Sequence, residues 1–246
     1  MKTMDRFSTR KSFLQAMTFQ SAADPNLIDR FWSDPDSLVH AGEKLIKKNC
    51  VRTTVRLNSE YDQFVVKRHV ERSWRHFAKQ CVTRSRAERC WNDSLYLYEN
   101  GYPTPRPIAY LEDRLGVLRG NSYFMYQFVE GETLKQKATD LKNQRLIRKY
   151  ILQLVNIWKL HFRLRVNLSD GHPANFLINS AGKMWVIDLD KLQRIPTGTD
   201  IVPILKNSFE STMRGVFWDR QILKFGREKL GAAFSNFENE QLGLTA

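Results

Sequence analysis

Apolar residues between about 141 and 163 recur every three or four positions, which is the period of an amphipathic helix. The residues of this stripe are Ile147, Ile151, Leu154, Val155, Trp158 and Phe162. The same spacing predicts a shorter helix over 84–99, which ends at Asn100-Gly101. Two weaker helical patterns follow within 201–232, so the second half of the chain is predicted to be mainly helical.

Short apolar runs separated by polar turns predict strands before and after the long helix. Three neighbouring runs predict the antiparallel sheet of a small lobe, and they are KLIKKNC (44–50), VRTTVRL (51–57) and QFVVKRH (63–69). Two further strands are predicted in RLGVL and SYFMYQFVE, and Glu130-Gly131 gives a turn after the second. Later in the chain, FLIN and MWVIDL predict a hairpin that turns at 180–183.

The order of these elements, strands first and helices after them, predicts an α+β protein. A length of 246 residues suits one large domain or two lobes that share a cleft. Residues 1–40 show no clear hydrophobic periodicity, and Asp24-Pro25 and Asp34-Pro35 are residue pairs typical of turns. We therefore expect a variable N-terminal lead-in segment there, ahead of the sheet lobe. Residues 41–130 are predicted to form the small sheet lobe. Residues 131–246 are predicted to form the mainly helical lobe.

The chain is strongly basic, with 39 Lys and Arg against 26 Asp and Glu, which gives a net charge of +13. This balance favours an anionic partner, such as nucleic acid, an acidic membrane surface or a phosphorylated substrate. A generally basic surface without a specific partner is the alternative. The 42% hydrophobic and 12% aromatic content excludes disordered and fibrous classes.

The cysteines and the first residues of the chain indicate the cellular compartment in which the protein is expected. Cys50, Cys81 and Cys90 are too few and too irregularly spaced for a disulfide framework or a zinc site, so free thiols in a reducing compartment are expected. The first 20 residues contain no apolar core typical of a signal peptide, and no run of about 18 apolar residues occurs. We therefore expect a protein that is neither exported by a standard signal nor membrane-spanning.

Three polar residues in the second half have the spacing of a phosphotransfer site. Asp170 and Asn175 lie five positions apart in the loop sequence DGHPAN, and Asp188 follows Asp170 by 18 positions (188 − 170). Asp188 ends the apolar strand MWVI, where a carboxylate can emerge from the core. Phosphoryl transfer needs Mg²⁺ ligands, a carboxylate facing the acceptor hydroxyl and a cation on the nucleotide phosphates.

The stretch LSDGHPANFLIN…VIDLDK resembles the catalytic and metal motifs of the aminoglycoside-phosphotransferase and lipopolysaccharide-core kinase branches of the protein-kinase-like superfamily. Their loop reads roughly H-G-D-x-H-x-x-N, and Leu160-His161 matches the Leu-His that often ends the preceding helix. The likeness is strongest to lipopolysaccharide kinases of the Kdo/WaaP type and the heptose kinase RfaY, through N-F-[LI]-[IV] and I-D-L, and it covers about 43–195. It implies a bilobal protein-kinase-like fold.

Two departures from the family pattern are visible. Leu168-Ser169 precedes the loop aspartate, where most of the superfamily has a histidine and then Gly or Arg. The turn in RLNSEYDQ lacks the glycine-rich cradle for phosphates.

The resemblance assigns roles to the motif residues in the second half. Asp170 would position or deprotonate the acceptor hydroxyl, while Asn175 and Asp188 would ligate Mg²⁺. Asp190 would assist a second Mg²⁺ or pair with Lys191 or an arginine. His172 and His161 would hold the loop by hydrogen bonding, although histidine is also a common catalytic acid or base.

The resemblance also assigns nucleotide-binding roles in the first half. Lys67, in FVVKRH, matches the lysine that holds the ATP phosphates, and Glu88 matches its ion-pair partner, with Glu71 as a rival. The segment Gln127 to Glu130, which includes Val129, matches the hinge whose backbone hydrogen-bonds adenine. A solvated strand lysine and a surface partner of Arg84 are the ordinary alternatives for Lys67 and Glu88.

The family implies ATP- and Mg²⁺-dependent phosphorylation of a sugar hydroxyl, on heptose or Kdo, in the lipopolysaccharide inner core. The protein would be cytoplasmic and peripheral to the anionic inner-membrane face, and no nucleic-acid partner is expected. The sequence does not indicate an oligomeric state. Alternatives are a kinase of another acceptor, namely a small molecule such as an aminoglycoside or a protein serine or tyrosine, and a pseudokinase that binds a partner. A nucleic-acid-binding protein is supported only by charge.

Overall fold

The computed structural model describes residues 6–48, 52–58, 63–69, 83–116, 118–139, 143–217 and 219–241. The chain divides into two compact units. The first unit comprises Met1–Asn100 and Pro105–Phe128, and the second comprises Gly101–Thr104 and Val129–Ala246. The fold is α+β, as the sequence predicts.

In the described part of the first unit, seven strands form one antiparallel sheet. They are β1 (Phe7–Lys11), β2 (Gln15–Gln20), β3 (Glu43–Lys48), β4 (Arg52–Asn58), β5 (Gln63–His69), β6 (Pro107–Leu115) and β7 (Leu118–Gln127). Their order across the sheet is β1-β2-β6-β7-β5-β4-β3. The three neighbouring strands predicted between residues 44 and 69 are therefore confirmed.

Helices cover both faces of this sheet. The helices α1 (Pro25–Ser33) and α2 (Pro35–Ala41) lie over one face, where Phe31, Leu38 and Val66 are buried together. The helix α3 (Arg86–Glu99) lies over the other face, where Trp91 packs with Val65 and Phe124. Because strand residues alternate between faces, Val65 and Lys67 are directed toward the α3 side.

The lead-in expected over residues 1–40 is wrong, because this segment supplies two strands of the sheet and the helices of one face. The Asp-Pro pairs that suggest turns are helix starts. The carboxylate of Asp24 accepts a hydrogen bond from the Asn26 N–H, and that of Asp34 from the Ser37 N–H, with proline in the first turn of each helix. These helices are too short for their apolar spacing to be distinctive in the sequence.

One strand assignment also needs correction. The RLGVL segment spans the turn between β6 and β7, which pair from Leu115 opposite Leu118, and Gly116 takes a positive φ of 61°. The strand β6 begins earlier than predicted, at Pro107. The helix predicted over 84–99 is confirmed as α3, with Ser85 as its cap.

The second unit is mainly helical in its described residues. Its helices are α4 (Leu134–Thr139), α5 (Gln144–Leu164), α6 (Ile201–Arg214) and α7 (Arg220–Gln241). Its short strands are β8 (Glu132–Thr133), β9 (Val166–Leu168), β10 (Phe176–Ile178), β11 (Met184–Val186) and β12 (Leu192–Arg194). The predicted apolar stripe of α5 is buried, and the predicted hairpin of β10 and β11 is confirmed. Among the described residues, no helix is both long and apolar enough to cross a bilayer.

A buried ion pair ties the two central strands of the first unit. The side chain of Glu112 on β6 is only 1% exposed, and its Oε2 accepts from Nε and Nη2 of Arg114 at 3.0 and 2.6 Å. The Nε of Arg119, on β7, lies 3.8 Å from the same oxygen. Removing one partner of a buried pair leaves an uncompensated charge in the core.

We expect Arg114→Ala to lower the free energy of unfolding by about 3 kcal/mol, since Glu112 would stay buried without its strongest partner. Urea unfolding measures this cost. The control is Arg10→Ala, because Arg10 and Asp29 form an exposed pair that contributes less than about 1 kcal/mol. Equal costs for the two variants would contradict the buried-pair interpretation.

Candidate functional site

Two short strand pairs position the predicted site residues of the second unit. Strand β9 pairs with β12, with Leu168 opposite Leu192, and β10 pairs with β11, with Phe176 opposite Val186. The loop 169–175 therefore leaves β9 and enters β10, while the segment 187–191 leaves β11 and enters β12. The start of the loop therefore lies beside the end of the 187–191 segment, and the end of the loop lies beside its start.

The hydrogen bonds beyond the strand ends continue these pairings. The Ile187 N–H donates to the Asn175 carbonyl at 3.0 Å, next to the β10–β11 ladder. At the other end, the Lys191 carbonyl accepts from the Ser169 N–H at 3.4 Å and from its hydroxyl at 3.0 Å. These contacts bring the backbone at Asp170, Asn175 and Asp188 into one region.

The orientation of Asn175 is set by its own loop. Its Nδ2 donates to the Asp170 carbonyl at 2.8 Å, and its backbone N–H donates to the His172 carbonyl at 2.8 Å. Residues Pro173–Asn175 form one turn of 3₁₀ helix. With Nδ2 committed to the backbone, the amide oxygen of Asn175 is the atom that remains to accept or to coordinate.

The carboxylate of Asp170 forms an ion pair with Lys191. Its Oδ2 lies 2.9 Å from Nζ of Lys191, and both side chains are largely open to solvent, at 44% and 58% exposure. Pairing with Lys191 is one of the alternatives that the sequence leaves for Asp190, beside an arginine or a second Mg²⁺. The β9–β12 pairing places Lys191 beside the loop, which no local sequence pattern reveals.

Asp188 and Asp190 lie in the segment between β11 and β12 and are both half-buried. Oδ1 of Asp188 accepts a hydrogen bond from the Asp190 N–H at 3.3 Å. This bond turns the segment immediately after the apolar strand. The carboxylate of Asp188 therefore lies just beyond the end of β11.

The loop packs closely on helix α6. A Cβ placed at Gly171 would lie 2.2 Å from Oγ1 of Thr212, and one at Gly215 would lie 2.9 Å from the Pro173 ring. Thr212 is buried and its hydroxyl donates to the Ser208 carbonyl at 3.0 Å. The glycine in DGHPAN thus permits contact between the loop and the helix.

A buried aromatic stack supports the hairpin that follows Asn175. The rings of Tyr102 and His161 are stacked at 5.5 Å, and Trp158 contacts both His161 at 5.0 Å and Phe176 at 5.9 Å. Tyr102 Oη and His161 Nε2 share a hydrogen bond of 2.7 Å. Burial raises the pKa of Tyr102 and lowers the pKa of His161 to about 3, so both groups are neutral.

The histidine beside Asp170 has a local structural contact. Nδ1 of His172 accepts a hydrogen bond from the Ala174 N–H at 3.2 Å, which caps the 3₁₀ turn. This contact agrees with the prediction that His172 holds the loop by hydrogen bonding, whereas the hydrogen bond of His161 is to Tyr102, outside the loop.

Lys67 and Glu88 lie in the first unit, on the same side of the sheet. Lys67 is on β5 with its Nζ 5.6 Å from the centre of the Tyr126 ring, and Glu88 is in the first turn of α3. Among the described residues, Glu88 pairs with Arg119 at 3.2 Å and with Arg84 at 3.7 Å, not with Lys67. The ion pair between Glu88 and Arg119 is not predicted from the sequence, because it depends on where β7 lies in the sheet.

The predicted hinge begins at the end of β7. The Gln127 N–H donates to the Arg106 carbonyl at 2.9 Å, so this backbone donor is already used within the first unit. Val129 is half-buried and begins the second unit, and Glu130 is exposed. Gly131 approaches β10 so closely that a Cβ there would lie 2.2 Å from Leu177.

Several predicted features lie outside the described residues. They are Glu71, the glycine-poor turn at 59–62, Cys50 and Cys81. Cys90 is described and buried, and it forms no disulfide bond with a described residue.

The donor atoms of the second unit suit a hard divalent cation. Mg²⁺ prefers carboxylate and amide oxygens, and Asp188 and Asn175 supply one of each at the paired ends of β10 and β11. Asp170, Asp188 and Asp190 are half-buried carboxylates in this part of the chain, and that of Asp170 is paired with Lys191. The oxygen donors of Asn175 and Asp188 are of the type that fits Mg²⁺.

A scan against protein-family models gives no match to this chain, and a search of curated proteins finds no relative.

The buried His161 predicts a pH-dependent stability. Its pKa is about 3 in the folded protein and about 6.5 in an unfolded chain. The neutral ring therefore contributes its full stability above about pH 6.5, and this contribution is lost as the pH falls toward about 3. From this group, the free energy of unfolding should fall by up to about 1.4 kcal/mol per pH unit.

Urea unfolding between about pH 7 and about pH 4 measures this effect. We expect His161→Phe to be less stable near neutral pH, because Tyr102 loses its partner, but to show a shallower fall on acidification. His40→Gln, at an exposed histidine, should keep the wild-type slope. An unchanged slope in His161→Phe would contradict the assignment.

The contact between Gly171 and Thr212 predicts a specific rescue. We expect Gly171→Ala to destabilise the protein by about 1–3 kcal/mol, because the new Cβ meets Oγ1 of Thr212. Adding Thr212→Ala removes that atom and should recover part of the loss. Thr212→Val keeps a branch in the same place and should recover none, so equal recovery in the two double variants would refute the contact.

Proposed function

We propose that this protein is an ATP- and Mg²⁺-dependent kinase with a bilobal protein-kinase-like fold, which phosphorylates a heptose or Kdo hydroxyl of the lipopolysaccharide inner core. The observation that carries the proposal is the region in which paired strand ends gather Asp170, Asn175 and Asp188. Motif spacing suggests these residues in the sequence, and the strand pairs beside them support the proposal.

Asp170 is the residue proposed to act on the acceptor. Its carboxylate is 44% exposed, so an incoming hydroxyl can reach it, orient on it and transfer a proton to it. The Lys191 ammonium at 2.9 Å fixes the carboxylate and supplies positive charge near the reacting group. Such preorganised charge stabilises the transition state of phosphoryl transfer.

Asn175 and Asp188 are the residues proposed to hold Mg²⁺. The amide of Asn175 is oriented by its hydrogen bond to the Asp170 backbone, so the acceptor-facing and metal-facing residues share one rigid loop. When bound, Mg²⁺ neutralises charge on the nucleotide phosphates. Asp190, which follows Asp188 and hydrogen-bonds to it, is the residue available for a second ion.

Lys67, Glu88 and the 127–130 segment are proposed to bind the nucleotide. Lys67 would hold the ATP phosphates, and backbone groups of the segment, Val129 among them, would contact adenine. Since Glu88 is paired with Arg119, an ion pair between Lys67 and Glu88 would require Glu88 to exchange one cation for the other. Both residues lie on the α3 side of the sheet, which makes that exchange a local movement.

The basic character of the chain supports the choice of acceptor. A net charge of +13 attracts a phosphorylated glycolipid on an anionic membrane face and opposes a cationic aminoglycoside. The proposed protein is therefore cytoplasmic and peripheral to the inner membrane.

Transfer of label from ATP to core-deficient lipopolysaccharide, in the presence of Mg²⁺, tests the proposal. We expect Asp170→Asn to lower the rate by about 10²–10⁴-fold, because the acceptor loses its general base. Asp29→Asn changes an exposed carboxylate on α1 and should leave the rate unchanged. Asp188→Asn should raise the Mg²⁺ concentration that is needed.

Other outcomes identify the rivals. Label transfer to a protein or to a small molecule, but to no core acceptor, would overturn the lipopolysaccharide assignment while keeping the kinase. Binding of ATP without transfer to any acceptor would favour the pseudokinase.

A further inference from the structure

Two turns at one end of the first-unit sheet expose large apolar side chains. Phe13 and Leu14, between β1 and β2, are 70% and 60% exposed, and Leu115 and Leu118, at the β6–β7 turn, are 58% and 39% exposed. Single exposed apolar residues are ordinary on protein surfaces. Four of them on two turns need a further explanation if the turns are adjacent.

The two turns are in direct contact. The Gly116 N–H donates to the Phe13 carbonyl at 3.2 Å, and the Arg114 N–H donates to the Leu14 carbonyl at 2.6 Å. A Cβ placed at Gly116 would lie 3.6 Å from the Phe13 ring. The four side chains therefore form one patch, which we call the apolar tip (Phe13, Leu14, Leu115 and Leu118).

Many backbone N–H and carbonyl groups of the two turns form hydrogen bonds within the protein. Besides the two bonds between the turns, the hydroxyl of Ser12 accepts from the Leu14 and Gln15 N–H groups at 3.2 and 3.0 Å. The Ser12 N–H donates to the Gln15 carbonyl at 2.8 Å. Internal bonding of this kind lets a turn enter an apolar medium, where an unpaired backbone group costs several kcal/mol.

The charges around the tip suit a membrane surface. Lys11 is exposed beside Phe13, while Arg10, Arg114 and Arg119 are balanced by carboxylates, and Asp113 on β6 adds one more acid. The local charge is therefore near neutral, and the net +13 of the whole chain supplies the long-range attraction to anionic lipid.

We propose that the apolar tip inserts into the interfacial layer of an anionic lipid bilayer. Insertion would bury Phe13 and Leu14 most deeply, with Leu115 and Leu118 beside them, while Lys11 contacts the headgroups. The inference shares only the membrane with the proposed function. Vesicle binding is measured without nucleotide or acceptor, so either proposal can fail while the other stands.

Co-sedimentation with vesicles of phosphatidylethanolamine and phosphatidylglycerol tests the insertion. The full chain should bind, and Phe13→Gln with Leu14→Gln should weaken the partitioning by about tenfold or more, since two large side chains lose their apolar burial. The matched control is Leu152→Gln, which removes an exposed leucine of α5 and should leave binding unchanged. Binding by wild type should persist at high salt, because apolar burial is not screened.

Several results would overturn the inference. They are an absence of vesicle binding by wild type, equal binding by wild type and the double variant, and loss of wild-type binding at high salt. A change in oligomeric state in the double variant, with vesicle binding unaltered, would assign the apolar tip to contact between protein copies. Circular dichroism of the variants checks that the sheet is retained.

Discussion

The hydrogen bond from the Ile187 N–H to the Asn175 carbonyl extends the β10–β11 ladder into the region where the polar residues lie. With the Ser169–Lys191 bonds at the other end, it leaves a loop of only seven residues, 169–175, to connect two strands whose partners are already fixed. Asp170, Asn175 and Asp188 therefore take positions set by backbone pairing. Sites built on such rigid elements hold their geometry better than sites on free loops.

The core beneath this region explains how the loop tolerates its unusual start. Leu168 is fully buried in β9, and the hydroxyl of Ser169 donates to the Lys191 carbonyl. These two residues anchor the loop at the positions where the kinase motif that the sequence resembles has a histidine and then Gly or Arg. The neutral Tyr102–His161 pair and Trp158 fill the space behind Phe176, so the support is aromatic and uncharged.

Local periodicity was sufficient for α3, α5, the β10–β11 hairpin and the strands between 43 and 69, because each has a pattern long enough to be distinctive. It failed for residues 1–40, where short strands and helices acquire their apolar partners from distant segments. The same limit applies to charges. The pairs of Lys191 with Asp170 and of Arg119 with Glu88 join residues 21 and 31 positions apart (191 − 170 and 119 − 88). The β9–β12 pairing brings the first pair together, and the packing of α3 on the sheet brings the second together.

The order of strands also bears on how the chain is made. Among the described strands, the β1–β2 pair joins the sheet through β6, with Gln15 opposite Asp113, and β3–β5 join it through β7, with Phe64 opposite Gln127. Both groups therefore emerge from the ribosome before the β6–β7 hairpin that unites them, and each has an unpaired strand edge until that hairpin is made. Open strand edges are the usual sites of wrong pairing between nascent chains. The time needed to translate residues 107–127 thus sets how long these edges stay unpaired.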